Sequence, residues 1–408
     1  MNPMLHIGLS KNDLFDVLSH SVTQLMRAAR LVCLRLSHSC FTRRRRTFRS
    51  IATISTIPFL MLCATHGNAS SYPNVPHSLL LDVTTRTDPA HATTHVVAVG
   101  QRGHIIVSAD AGQHFEQAVS NTQNTLTSVC FFNEQILLAV GHNLTIIRSE
   151  DGGKQWHTIA LDKSDTVPFL DVHPLSERVA LAVGAYGYVA RTEDAGKTWQ
   201  VRLSTQEDFH LNAIISLDSN RLILAGESGH VYRSTDQGIT WTPIEIPYTG
   251  SLFTGLFLSP QQVLLLGLRG NGLIGNPFLD EPSWQYLNLK SQNTWFDVAE
   301  DKRGYLWMVG AAGQLQSVEK ASLLNTSNTD TLQTIHLARP DRKDLAALDI
   351  QNQTIWTVGE AGLHQYSLPN TLINHPLTAQ QITAQQITAQ QKSALKEIPF
   401  SFISSMSH

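Results

Sequence analysis

Charged side chains recur at one constant position in this sequence, around a short repeated segment. Arg148, Arg191 and Arg233 each directly precede a Ser or Thr, and an aspartate follows two residues later. Enzymes that cleave the glycosidic bond of an acidic sugar need converging arginines, an acid/base carboxylate and an activated nucleophile. Because these arginines occupy equivalent positions in successive repeats, we expect them to point the same way from different parts of the fold. The spacing therefore favours a repeated structural role over a catalytic site, and no Tyr/Glu pair suits the role of nucleophile.

Other sequence signatures of chemistry are absent. The chain contains no phosphate-binding loop, no nucleophile elbow and no zinc-protease motif. Of the four cysteines, three lie before residue 70, and Cys130 lies in the apolar run 129–132, which is typical of a core residue. Residues 70–408 carry a net charge of −10, which argues against a nucleic-acid partner. We therefore predict no catalytic residues, no cofactor, no metal and no small-molecule substrate.

An apolar strand that ends in glycine occurs seven times in the sequence, and it reveals the elements that carry these residues. The steps between successive glycines are 41, 43, 42, 41, 43 and 49 residues. Such a uniform period is typical of repeat architectures. The seven glycines are Gly100, Gly141, Gly184, Gly226, Gly267, Gly310 and Gly359.

Each repeat has the same internal order. A short apolar run, such as 126–129 or 253–256, lies about 12 residues before the glycine, and an alternating strand and a further strand follow it. A helical repeat of this length would show a 3.6-residue period, which is missing here. Four short strands per unit of about 42 residues predict an all-β, seven-bladed β-propeller, because stacked blades bury the faces that a single blade cannot.

A second repeated segment, [S/T]-x-D-x-G-x-x-[W/F], lies between the third and fourth strands of four units. Its aspartate can accept hydrogen bonds from turn amides just downstream, its glycine can adopt positive φ, and its aromatic ring can pack between sheets. We predict a structural role for all sixteen residues, namely Ser108, Asp110, Gly112 and Phe115; Ser149, Asp151, Gly153 and Trp156; Thr192, Asp194, Gly196 and Trp199; and Ser234, Asp236, Gly238 and Trp241.

This segment resembles the Asp-box, or BNR, repeat of sialidases and other propellers, in which it lies away from the active site. Combined with the preceding Val-Gly-x-x-Gly strand, it most resembles the photosystem II stability/assembly factor family over residues 79–318. The resemblance implies an exported or lumenal assembly factor, not an enzyme. The fifth unit departs from the pattern, with only Trp284 at the aromatic position, the sixth and seventh lack the segment, and position 144 is Leu where Gly is expected.

The first 69 residues resemble a leader. A basic stretch at 43–49 precedes a moderately apolar stretch at 51–64 and small residues at Gly67 and Ala69, the layout of a secretory signal peptide. We expect residues 70–408 to be exported to the periplasm or an equivalent lumenal compartment. An uncleaved leader that tethers the protein to the membrane is the alternative.

The domain organisation is then a leader at 1–69, the propeller at 70–368 and a tail at 369–408. The tail contains the segment TAQQI in a low-complexity run at 377–391. The seventh unit has no fourth strand of its own in the sequence. That strand could come from residues 396–403 or from residues near the mature N-terminus.

The turns between the second and third strands vary against an otherwise regular background. In a propeller these turns share one face, and binding residues favour loops on a rigid scaffold. We predict that this face of a monomeric propeller binds a protein partner in a membrane complex or exporter, through Arg102, His142, Tyr186 and Arg269. Three functions remain open: a factor for assembly of a membrane complex, a periplasmic scaffold tied to an exporter, and a sialidase-like hydrolase.

Overall fold

The computed structural model describes residues 77–87, 93–162, 165–203, 208–325, 332 and 334–368. These residues belong to one compact unit that spans Asn68–His408. The predicted leader, the low-complexity run and the closing strand predicted at 396–403 lie outside the described residues. No helix in the described ranges is long and apolar enough to cross a membrane.

The chain forms seven antiparallel sheets in sequence order, which confirms the predicted seven-bladed propeller. Six blades have four strands each, and three strands are described in the seventh. The blades are β1 (Leu80–Thr87), β2 (Thr94–Gly100), β3 (Ile105–Ser108) and β4 (Glu116–Gln117); β5 (Leu126–Phe131), β6 (Leu137–Gly141), β7 (Thr145–Ser149) and β8 (His157–Thr158); β9 (Phe169–Pro174), β10 (Ala180–Gly184), β11 (Tyr188–Thr192) and β12 (Gln200–Leu203); β13 (Leu211–Ser216), β14 (Leu222–Gly226), β15 (Val231–Ser234) and β16 (Thr242–Ile244); β17 (Leu252–Ser259), β18 (Gln262–Gly267), β19 (Asn271–Gly275) and β20 (Trp284–Asn288); β21 (Trp295–Glu300), β22 (Tyr305–Gly310), β23 (Gln314–Glu319) and β24 (Thr334–Ala338); and β25 (Leu345–Gln351), β26 (Thr354–Gly359) and β27 (Gly362–Ser367).

The second strand of each blade is the most apolar because both of its faces are covered. Every residue of β6, for example, is buried, and so is every residue of β10 and β14. The core consists of apolar clusters between neighbouring blades; one of them joins β2 and β3 to β5 and β6. Burial on both faces explains why these strands read as continuous Val, Leu and Ala runs without alternation.

The first strand of each blade lines the centre of the ring and carries an irregularity near its start. In β5, Leu126 pairs with Gly141 but Ser128 already pairs with Val140, so one residue is extra on the inner strand. The glycine allows close approach, since a Cβ on Gly141 would collide with the backbone of Thr125. The bulge offsets the register of the inner strand by one residue, as bulges generally do.

The apolar run at 253–256 lies within β17, which begins one residue earlier. Leu252 pairs with Gly267 and takes the buried first position of β17. Phe253 instead lines the central channel, where its ring lies 5.7 Å from that of Phe296 in an edge-on arrangement. Both residues are large and apolar, so the sequence pattern did not distinguish them.

Blade 6 has a fourth strand although the sequence shows no Asp-containing segment there. A short helix, α1 (Lys320–Asn325), follows β23, and β24 then pairs with β23 along its length. The ring closes where β1 of the first blade meets the inner strand β25 of the last. The two blades share an apolar cluster that includes Leu80, Val96 and Trp356.

Candidate functional site

The four predicted Asp-containing turns, at 108–115, 149–156, 192–199 and 234–241, fold alike. In the second, the Ser149 hydroxyl donates to Asp151 Oδ1 at 2.8 Å and accepts from the amide of Gly153 at 2.9 Å. Asp151 Oδ1 also accepts from the amide of Gln155 at 3.0 Å. Gly153 has φ +91°, in the left-handed region that favours glycine. Although partial burial opposes it, hydrogen bonding from amides and from Ser149 lowers the pKa of Asp151.

The aromatic residue that ends each of these turns packs against the preceding blade. Trp156 is fully buried among residues of blades 1 and 2, and its indole N–H donates to the carbonyl of Gly153 at 2.8 Å. Trp199 packs in the same way between blades 2 and 3. Trp284, which stands alone in blade 5, packs against an apolar cluster formed by residues of blades 4 and 5. These turns therefore hold blades together.

The three repeated arginines do not converge. Arg148 donates through Nε to the carbonyl of Ala195 in the next blade at 2.8 Å and forms an ion pair with Glu150. Arg233 donates to the carbonyls of Pro277 and Leu279 in its next blade. Arg191 pairs with Glu193 at 3.3 Å. Each arginine lies on a separate blade and makes contacts within the scaffold, which leaves no arginine cluster for a substrate carboxylate.

The turns between the second and third strands lie together at one end of the ring, which we call the turn face. They comprise residues 101–103, 142–144, 185–187, 227–229, 268–270, 311–313 and 360–361. Five of them are single 3₁₀ turns whose middle residue is left-handed: Arg102, Tyr186, Ser228, Arg269 and Ala312, with φ between 55° and 59°. This backbone conformation is uncommon for a residue as bulky as Tyr or Arg.

The four residues predicted to bind a partner are all exposed on this face. Arg102, His142 and Tyr186 lie on the consecutive blades 1, 2 and 3, and Arg269 lies on blade 5. Each occupies the tip or start of its own turn, so they are distributed around the ring and do not form a single cluster. Whether they bind a partner stays a prediction.

Tyr186 lies beside a pocket that sequence reasoning missed. The pocket has a volume of about 520 Å³ and is lined by Asp165, Thr166, Val167, Tyr186, Tyr188, Leu203 and Asp208. Tyr186 is 49% exposed and Leu203 is 56% exposed. The spacing Tyr-x-Tyr at 186–188 could have indicated the pocket from the sequence. The two tyrosines flank the turn glycine, and Tyr186 is the middle residue of the turn, which varies between blades.

Two interactions fix the tyrosines. The hydroxyl of Tyr188 donates to Asp165 Oδ2 at 2.5 Å, and this bond raises the pKa of Tyr188. The ring of Tyr186 meets His210 edge-on at 5.1 Å. The backbone amide of His210 donates in turn to Glu227 Oε1 at 3.0 Å. The aromatic walls of the pocket are therefore held from two sides.

A second cavity, of about 320 Å³, lies in the centre of the ring and is lined by the inner strands of all seven blades. Three aspartates on these strands each accept a hydrogen bond from a backbone amide of the next blade. Asp82 accepts from Val129 at 2.7 Å, Asp171 from Ile214 at 2.8 Å, and Asp297 from Leu348 at 2.9 Å.

Asp349 makes the corresponding bond across the closure of the ring. Its Oδ2 accepts from the amide of Thr85 in blade 1 at 2.6 Å and from the Thr85 hydroxyl at 3.0 Å. The sequence pattern showed the signal in the tetrapeptides FLDV and WFDV, where an aspartate interrupts an apolar run. We call these four interactions the interblade bridges.

Three of the bridging carboxylates have raised pKa values. Burial raises the pKa of Asp297 to about 7, although amide and hydroxyl donors oppose the shift, and Asp171 adds repulsion. Burial also raises the pKa of Asp82 and of Asp349. Asp297 retains some surface toward the central cavity, but protein surrounds it on all other sides, so desolvation dominates.

The described part of the chain contains no group of three or more His, Cys, Asp or Glu side chains arranged to hold a metal ion. Cys130 is the free cysteine of the described ranges, and burial raises the pKa of its thiol. A thiol with a raised pKa is a poor nucleophile. The structure places Cys130 on the inner strand β5, within the scaffold.

Comparisons with known proteins agree with this geometry. The family model described as "Photosynthesis system II assembly factor YCF48" matches residues 116–367. No curated protein sequence matches the chain. Among solved structures, one described as "YCF48 bound to D1 peptide" has a TM-score of 0.57 at 18% identity, covering 72% of this chain and 95% of its own.

Two further structures share the fold. YCF48 from Cyanidioschyzon merolae has a TM-score of 0.57 at 18% identity and covers 74% of this chain and 98% of its own. The WD40 propeller domain of Doa1 has a TM-score of 0.54 at 10% identity and covers 71% and 92%. These structures establish the propeller fold, and the family model, which spans more than half of the sequence, establishes the relationship: the chain belongs to the YCF48 photosystem II assembly factor family.

Proposed function

We propose that this protein is a non-catalytic assembly or accessory factor that binds an extended segment of another protein on its turn face. The observation that carries the proposal is the set of exposed Arg and Tyr side chains held in left-handed turns on a rigid ring. Exposed aromatic and arginine residues are the usual anchors of protein interfaces. A solved relative of the same family has a peptide of another protein bound, which supports a peptide as the ligand class.

The proposal extends to location and client. We propose that residues 70–408 are exported and that the partner is a subunit of a membrane protein complex on the outer side of the membrane. The basic and apolar segments before residue 70 support export. A subunit of an exporter is the other client class that the sequence leaves open, and the experiment below separates the two.

A hydrolytic role is not favoured. The arginines that a sialidase-like site would need are bound to backbone carbonyls and glutamates of the scaffold on three blades. Asp82 and Asp297, whose pKa values are raised, line the central cavity and accept hydrogen bonds from backbone amides of neighbouring blades. These hydrogen bonds give the carboxylates a structural role, so no substrate is needed to explain why they lie there.

The test is capture of the partner by the full chain, tagged at its C-terminus and crosslinked in its own host. We expect the wild-type protein to recover subunits of one membrane complex. Changing Arg102, Tyr186 and Arg269 together to alanine should reduce recovery at least tenfold, since anchors of this kind are worth ~2 kcal/mol or more each. Alanine fits these turns, because Ala312 occupies the equivalent position with φ 59°.

The matched control changes three exposed residues of similar type outside the turn face, Lys154, Arg178 and Ile239, to alanine. Its recovery should equal that of the wild-type protein. Equal recovery by the turn-face variant would place the binding surface elsewhere on the ring. Recovery of exporter subunits in place of another membrane complex would change the client class while retaining the binding role.

A further inference from the structure

The pocket beside Tyr186 differs in charge from the turns that carry the candidate anchors Arg102 and Arg269. Among the described residues, its lining contains two aspartates, two tyrosines and Leu203, but no Lys, Arg or His. Glu227 adds a third carboxylate nearby through its bond to the amide of His210. The electrostatic potential at this part of the turn face is therefore negative, in contrast to the turns that carry Arg102 and Arg269.

The tyrosine rings are placed for contact with a ligand. Tyr186 occupies a left-handed position, with φ 56° and ψ 35°, where the equivalent turns of blades 4 and 6 have the small residues Ser228 and Ala312. Tyr188 enters the pocket from the start of β11 and is fixed by Asp165. Half of the Tyr186 ring remains exposed, although it already packs edge-on against His210.

We propose that this pocket binds the cationic side chain of a Lys or Arg residue in the partner protein. A cationic group stacks on the face of a tyrosine ring, and carboxylates at the rim of the pocket form ion pairs with that cation. The aliphatic stem of such a side chain is matched by Leu203, which is exposed at the end of β12. A volume of about 520 Å³ accommodates one extended side chain and its adjoining backbone.

The inference deepens the proposed function and rests on it for the source of the ligand, a protein segment. It implies that charge is distributed unevenly over the turn face, with an acidic, aromatic subsite at blades 3 and 4 and basic turns at blades 1 and 5. A bound segment with a basic residue at one end and an acidic residue at the other would be held in one orientation. Electrostatic complementarity of this kind contributes specificity more than affinity.

The test uses the full chain labelled with 3-fluorotyrosine, which gives eight fluorine positions. The probes are the blocked amino acids N-acetyl-arginine amide, N-acetyl-lysine amide, N-acetyl-norleucine amide and N-acetyl-glutamate amide. We expect the two cationic probes to shift the Tyr186 and Tyr188 resonances, assigned with Tyr186→Phe and Tyr188→Phe, with dissociation constants of ~1–10 mM. The affinity should fall as the salt concentration rises.

Three variants make the result specific. Asp165→Asn with Asp208→Asn should weaken binding of the arginine probe at least fivefold, and Tyr186→Ser should abolish it while retaining a residue type found at the equivalent turn of blade 4. Asp280→Asn, an exposed acid outside the turn face, should leave binding unchanged. Absence of the shift with cationic probes, or an equal shift with the neutral and anionic probes, would overturn the proposal.

The outcome is separable from that of the proposed function. If the cationic probes bind but the turn-face alanine variant still captures the partner, the pocket stands and the proposed binding face fails. If capture depends on Arg102 and Arg269 but the probes leave Tyr186 and Tyr188 unshifted, the binding face stands and the cation subsite is refuted.

Discussion

Replacing Trp156 by alanine is expected to destabilise the propeller by about 3–5 kcal/mol. The indole is fully buried between blades 1 and 2, where it contacts Val97 and Val107 across the interface. Its removal leaves a cavity between two sheets and also the carbonyl of Gly153 without the indole donor. Neighbouring side chains cannot collapse into the cavity, because each is fixed in a strand of its own blade.

The measurement is urea-induced unfolding of the full chain, followed by circular dichroism so that the loss of a tryptophan does not alter the signal. Trp156→Phe keeps most of the packing and should cost less than half as much. Tyr286→Ala, at an aromatic residue that is 47% exposed, is the surface control and should cost little. A loss below about 1 kcal/mol for Trp156→Ala would contradict the role given to the turn aromatics.

The contribution of Asp297 to stability is expected to fall by ~2–4 kcal/mol as the pH rises from about 4 to about 7. The folded protein holds a proton on Asp297 up to pH about 7, whereas the ordinary pKa of an Asp side chain in an unfolded chain is 3.8. Between these values the folded state binds more protons than the unfolded state, so a rise in pH favours unfolding. The stabilisation is fully present below pH 3.8 and is lost by the time the pH passes 7.

The measurement is the midpoint of thermal unfolding between pH 4.5 and 8. Asp82 and Asp349 act in the same direction, because burial raises their pKa values as well. Burial lowers the pKa of His173, and it lowers the pKa of His364 to about 4, so both histidines act in the opposite direction. Compared with the wild-type protein, Asp297→Asn should therefore lose less stability as the pH rises toward 7, and the exposed Asp280→Asn should leave the slope unchanged. A variant slope as steep as that of the wild-type protein would show that Asp297 ionises normally.

Much of the architecture could be predicted because one physical constraint repeats seven times. A strand buried on both faces must be apolar, and a tight turn must follow it, so the Gly-terminated runs marked the blades directly. The register of β17 could not be predicted, since Leu252 and Phe253 satisfy the same apolar pattern. The bulge and the pairing with Gly267 determine which of the two residues is buried, and both depend on the neighbouring strand.

The candidate site was less predictable. The exposed positions of Arg102, Tyr186 and Arg269 followed from the repeat. The pocket did not, because Asp165, Leu203 and Asp208 come from connections that vary in length between blades. The interblade bridges were also missed, since an aspartate in an apolar strand gives no indication in the sequence of which neighbouring amide it will meet.

The bridge between Asp349 and Thr85 gives the junction of the last and first blades the same kind of bond that three other junctions of the ring have. Bridges of the same kind join blade 1 to blade 2, blade 3 to blade 4, and blade 6 to blade 7. A circularly permuted chain, opened between two middle blades and joined between blades 7 and 1, should therefore keep the same interblade bonds.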